Sequence, residues 1–129
     1  MTIEPDSLEH LYLNMAAGDW LQIDAANYAA KTFFEPDDVK RKALVLATAR
    51  ALAEAGYIRI GTIDWKKGRL AEWPGTIDDQ IERLSRVYMP EGRDDRDWGW
   101  SCVFDLTEEG EHVEAELPQL SARFDDDDW

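Results

Sequence analysis

Ala51-Leu52-Ala53-Glu54-Ala55-Gly56-Tyr57-Ile58-Arg59-Ile60-Gly61-Thr62-Ile63 holds two kinds of periodicity back to back. The Ala- and Leu-rich half continues a helix to about Ala55, and Gly56 ends it. Tyr57 to Ile63 then alternates large apolar with small or polar residues, as a half-buried strand does. Upstream, Glu35-Pro36-Asp37 reads as a break and restart. Pro fits a first helical turn, and acids favour the positive end of the helix dipole. The long helix so bounded is expected to bury Val39, Ala43, Leu46, Ala47 and Leu52. Downstream, Trp98 to Leu106 reads as a strand with Trp98, Trp100, Cys102 and Phe104 on one face. Thr107-Glu108-Glu109-Gly110 opens a last helix through Leu117, stopped by Pro118.

Between the two strands, Lys66-Lys67-Gly68-Arg69 is turn-like and the most basic spot in the chain, and Trp73-Pro74-Gly75 is a second turn. Thr76 caps a helix with Ile77, Ile81, Leu84 and Tyr88 on its apolar face. Pro90 to Asp97 reads as a charged loop. At the other end, Asp6 with Glu9 forms the pattern of a capping box, followed by Leu8, Leu11, Tyr12 and Met15 at helical spacing and Gly18 as a stop. Trp20 to Ile23 is too short to type. Asp24 caps a second helix through about Phe34. The expected division is a domain over 1–118 and an acidic, loosely held tail over 119–129, in which Leu120 and Phe124 are able to dock.

In this order the elements resemble winged-helix proteins. Ala51 to Ile58 looks like the end of their third helix and the first wing strand. Phe104-Asp105-Leu106-Thr107-Glu108-Glu109-Gly110-Glu111 is similar to the Leu-Thr-x-x-Gly signature that leaves the second wing strand in MarR-like and PadR-like regulators. The resemblance implies an α/β (α+β), winged-helix-like fold, helix-rich, with a small antiparallel sheet. Here a helical insertion replaces the usual short wing. It also implies a DNA-reading helix, whose cations would be Lys40, Arg41 and Lys42. That helix instead starts Glu35-Pro36-Asp37-Asp38, where a base reader wants Arg, Lys, Asn or Gln.

Charge narrows the function. The chain of 129 residues carries a net charge of −14. Residues 1–64 hold 10 acidic and 6 basic residues, whereas residues 65–129 hold 18 and 8. Such a field disfavours nucleic acid and anionic membrane, and it speeds encounter with a basic partner. One cysteine, Cys102, rules out an intrachain disulfide and a multi-cysteine metal site. His10 and His112 are far apart, and no Gly-rich phosphate loop is present, so the chain reads as a non-enzyme without metal or cofactor. The first residues have neither a basic nor an apolar signal region, and no apolar run matches a membrane span, which points to the cytoplasm.

What remains is acid beside aromatic. Asp94, Asp95 and Asp97 lead into Trp98, and Asp125, Asp126, Asp127 and Asp128 lead into Trp129. Acids steer and rings anchor, so with Glu108, Glu109 and Glu111 these are the candidate contacts to a basic protein. The expected role is a small protein-binding module: an inhibitor or immunity-type protein occluding a basic toxin or nucleic-acid enzyme. The alternative is a winged-helix transcriptional regulator.

Overall fold

Ile58–Asp64 forms an inner strand of the sheet, one residue later at each end than the sequence alternation from Tyr57 to Ile63. The computed structural model describes residues 1–91 and 93–125, Asp95 by its backbone alone. In chain order the elements are α1 (Leu8–Gly18), β1 (Leu21–Gln22), α2 (Ile23–Phe33), α3 (Asp38–Glu54), β2 (Ile58–Asp64) and β3 (Arg69–Glu72). There follow α4 (Ile77–Val87), α5 (Asp95–Trp98), β4 (Val103–Leu106), α6 (Glu108–Glu116) and a 3-10 turn at Ala122–Phe124. The strands pair antiparallel in the order β1-β4-β2-β3, giving a helix-rich α+β fold with a small sheet. Helices α4 and α5 lie between β2 and β4 in the chain, after the β2–β3 hairpin.

The junctions at 51–58 and 104–111 touch each other. Gly56 takes φ +79 to end α3. Thr107 donates its N–H to the Tyr57 carbonyl at 3.0 Å and its hydroxyl to the Gly56 carbonyl at 2.5 Å. The same hydroxyl accepts the Gly110 N–H at 3.0 Å, capping α6. This seats the first turn of α6 on the Tyr57 carbonyl. A Cβ on Gly110 would lie 2.0 Å from that oxygen, so the glycine is a packing requirement.

Helix α3 corrects the expected face. Its buried residues are Arg41, Val45, Thr48, Ala49 and Leu52, whereas Val39 is 81% exposed and Ala43 and Ala47 face solvent. Ala and Leu occur all around this helix, so composition does not mark one stripe. The packing against α2, α4 and β2 selects it. Arg41 lies on that selected face.

The strand expected over 98–106 is shorter. The Cys102 carbonyl accepts the Ile23 N–H at 3.0 Å and the Gly99 carbonyl accepts the Asp24 N–H at 3.2 Å. The first bond continues the β1–β4 register by one pair, the second reaches the first turn of α2, and β4 itself begins at Val103. Trp98 therefore belongs to α5, buried 5.4 Å from the Tyr88 ring, and shares no face with Trp100. Strand β3 escaped the sequence reading because most of its residues are exposed. It forms by hairpin pairing from Asp64↔Arg69 onward, with Gly68 at φ +65 in the turn. Two capping expectations move by a residue or two. Ser7 caps α1, while Asp6 donates its N–H to His10 Nδ1 at 2.9 Å. Gln22 stands at the cap of α2, and Asp24 lies in its first turn.

Residues 119–125 are part of the body. Phe124 is buried, its ring 5.1 Å from Phe33 and 6.1 Å from Phe34. The Arg123 guanidinium lies 4.4 Å from the Phe124 ring, and the Ser121 N–H donates to the Asp6 carboxylate at 3.0 Å. The boundary expected at 118 thus does not separate this segment, whereas Asp126 to Trp129 lie outside the described residues. Phe124→Ala should lower unfolding free energy by about 3 kcal/mol, the usual cost of deleting a buried ring. Urea unfolding of the two chains measures it.

Candidate protein-binding surface

Three tryptophans from distant parts of the chain meet at the surface. Trp20 immediately precedes β1, Trp65 follows the last residue of β2, and Trp100 lies in the bend before β4. The Trp65 ring lies 6.0 Å from Trp20 at 80° and 5.7 Å from Trp100 at 60°, edge to face in both cases. Yet Trp65 is 68% exposed and Trp100 50%. Edge-to-face pairs contribute about 0.5–1.5 kcal/mol each beyond area burial, enough to hold the rings in place. A partner that covers them gains apolar burial and orders little that is not already ordered. Trp73 and Trp98, by contrast, are buried in the core.

The sequence-predicted contacts divide. Asp94 and Asp97 are exposed, and the segment bearing them runs through α5 into Trp100. Asp95 is the first residue of α5. Asp94 accepts the Arg96 guanidinium at 3.0 Å, and this hydrogen bond holds its carboxyl below the usual range. Part of that loop's charge is therefore offset within the loop. Trp98, expected as a contact, is a core residue and is corrected here: its ring packs on Tyr88 instead of meeting solvent. Glu108, Glu109 and Glu111 are all exposed on α6. The four residues of β4 separate them from the Trp100 bend, about 13 Å of strand. Asp125 is exposed beside Phe124. Asp126, Asp127, Asp128 and Trp129 lie outside the described residues.

The basic triplet at the start of α3 does not form one surface. Arg41 is buried, donating Nε to Asn27 Oδ1 at 2.9 Å, Nη1 to the Pro36 carbonyl at 2.8 Å and Nη2 to Asp38 at 2.5 Å. Lys42 is half-buried, with its ammonium 6.0 Å from the Tyr88 ring centre. Only Lys40 is fully exposed. Consecutive helical residues project about 100° apart, which is why one triplet serves three surroundings. Arg41 is thus withdrawn from any phosphate contact.

Cys102 is buried, and burial pushes its thiol well above the usual range, so the thiolate needed for nucleophilic chemistry is disfavoured. No helix among the described residues is long and apolar enough to cross a membrane.

Trp20 and Trp65 escaped the sequence reading. A signal was available: Asp19-Trp20, Asp64-Trp65, Asp97-Trp98 and Asp128-Trp129 repeat one acid–indole pair. It does not separate the buried Trp98 from the exposed Trp65. No family model, curated protein or solved structure matches this chain.

Proposed function

We propose that this chain is an acidic protein-binding module acting in the cytoplasm, an inhibitor of the immunity-protein kind for a basic toxin or nucleic-acid enzyme. The observation that carries this reading is the Trp20–Trp65–Trp100 cluster, ordered by its own edge contacts yet largely open to solvent. Large apolar rings left exposed beside charge are what a protein interface covers. The net charge of −14 supplies the steering, and carboxylates such as Asp94 and Asp97 would take the places of phosphates in the partner's basic cleft. Inhibition would come from occlusion, without chemistry by this chain.

The scaffold reading that accompanies it is a winged-helix type, adapted. Support comes from the run α1-β1-α2-α3 into paired strands, with β1 set against the last strand. The buried Arg41 and the acids Asp37 and Asp38 at the start of α3 favour a protein partner over a DNA groove.

Affinity capture from source lysate, with wild type beside Trp65→Ala/Trp100→Ala, tests the proposal. Both side chains are exposed, so the double variant should fold as wild type does. A basic protein held by wild type should be lost or held at least about tenfold more weakly by the variant, as for interface anchors in general. Equal capture by both chains would refute the anchor.

A further inference from the structure

A cationic hollow lies on the β2–β3 hairpin of this acidic chain. Arg59, Lys67 and Arg69 line a single hollow of about 300 Å3 on the β2–β3 hairpin, together with Asp64, Leu70 and Ala71. One acid, Asp64, is among these lining residues. Asp64 Oδ1 accepts the backbone N–H groups of Lys66 at 3.1 Å and Lys67 at 3.2 Å. Asp105 accepts Arg59 Nη2 at 2.9 Å. No ion pair to Lys67 or Arg69 forms among the described residues, and both side chains are exposed. Lys67 and Arg69 therefore bring two cations into the hollow against the single carboxylate of Asp64, beside Arg59, which keeps further guanidinium donors.

Hairpin geometry makes this arrangement. Pairing of Asp64 with Arg69 across the turn sets their side chains on one side of the ladder, and Gly68 at φ +65 closes the turn. Gly61 then allows the two strands an approach that no other residue would permit, since a Cβ there would meet the Ala71 carbonyl oxygen at 2.1 Å. The exposed Trp65 indole sits between Asp64 and Lys66 in the same turn.

We infer that this hollow binds the phosphate of a small phosphorylated molecule. Arg and Lys donors lining one space match the oxygens of a phosphate ester. Size decides against a nucleic acid strand. A compact anion meets only the cationic hollow, whereas a strand long enough to leave the hairpin would run over a surface whose charge totals −14. The acidic contacts proposed for the basic partner lie elsewhere, at Asp94, Asp97 and the start of α6, whereas the anchor Trp65 belongs to this same turn.

The test titrates the full chain with adenosine monophosphate, with adenosine, and with a short single-stranded oligonucleotide, following tryptophan fluorescence and heat. Saturable binding of the monophosphate is expected, weakened by salt and at least about tenfold tighter than adenosine, because the charged donors meet only the phosphate. Lys67→Glu/Arg69→Glu should abolish it, and Lys67→Gln/Arg69→Gln should weaken it, with unchanged circular dichroism in both. Three results would overturn the inference: no binding of the monophosphate, equal binding of adenosine, or binding that survives the double charge reversal. Tighter binding of the oligonucleotide than of the monophosphate would overturn the choice of a small ligand in favour of a strand.

Discussion

Gly110→Ala should destabilise the fold by about 3 kcal/mol, within the range for inserting an atom into a packed site. The added carbon would sit 2.0 Å from the Tyr57 carbonyl oxygen and 2.9 Å from its carbon, and both neighbours are backbone. No side chain can swing aside. Relief requires α6 to lift from the end of α3, which breaks the Thr107 bonds to the Tyr57 and Gly56 carbonyls. Urea unfolding would read the effect, with Gly18→Ala as the paired control. Gly18 is the last residue of α1, and a Cβ there meets nothing within 4 Å. That substitution should be neutral or slightly stabilising, since Ala narrows the unfolded ensemble and fits a helix better than Gly. Equal effects at the two positions would show that helix propensity, and not the contact with Tyr57, decides.

Arg41→Leu should cost a further large amount, about 3 kcal/mol, although it replaces a charge by an apolar side chain of related size. The guanidinium gives hydrogen bonds to Asn27, to the Pro36 carbonyl and to Asp38, and it lies 98% out of solvent contact by its 2% exposure. Removing it leaves the Pro36 carbonyl and the part-buried Asn27 amide oxygen with fewer donors, and loses the packing of a buried side chain. The Asp38 carboxylate is 75% exposed, so its ion pair with Arg41 is screened and contributes little. Asp38→Asn should therefore change stability by under about 1 kcal/mol. Lysine at position 41 should not restore wild-type stability, because one ammonium cannot fill the positions of a planar fork. These variants also bear on the regulator alternative. A triple substitution of Lys40, Arg41 and Lys42 would lower stability through Arg41 alone, so a DNA-binding test is informative only at Lys40 and Lys42.

Local chemistry made much of the fold legible, and distance hid the rest. Thr76 and Thr107 announced their helices because a cap acts within three residues, and both hydroxyls accept the N–H expected of them. Gly56 and the alternation after it marked the turn from α3 into β2 for the same reason. The buried face of α3 was not legible, because Ala and Leu surround the helix and only its neighbours choose a side. Strand β1 has two residues and owes its conformation to β4, more than eighty residues later. The candidate surface belongs to this second kind. Trp20, Trp65 and Trp100 stand at the edges of three separate elements, and their meeting follows from the order of strands in the sheet. Asp94 and Asp97 were found from sequence because they adjoin Trp98. The ring they lead to at the surface, however, is Trp100.

The rates at which the captured partner binds and leaves, followed across ionic strength for three chains, test the protein-binding reading most directly. Wild type should associate fast at low salt and more slowly as salt rises. Asp94→Asn/Asp97→Asn should flatten that dependence and leave dissociation nearly unchanged. Trp65→Ala/Trp100→Ala should keep the association rate and dissociate at least about tenfold faster. A partner whose association ignores salt, and whose dissociation ignores the loss of both indoles, would contradict the proposal that acids steer and the tryptophan cluster anchors.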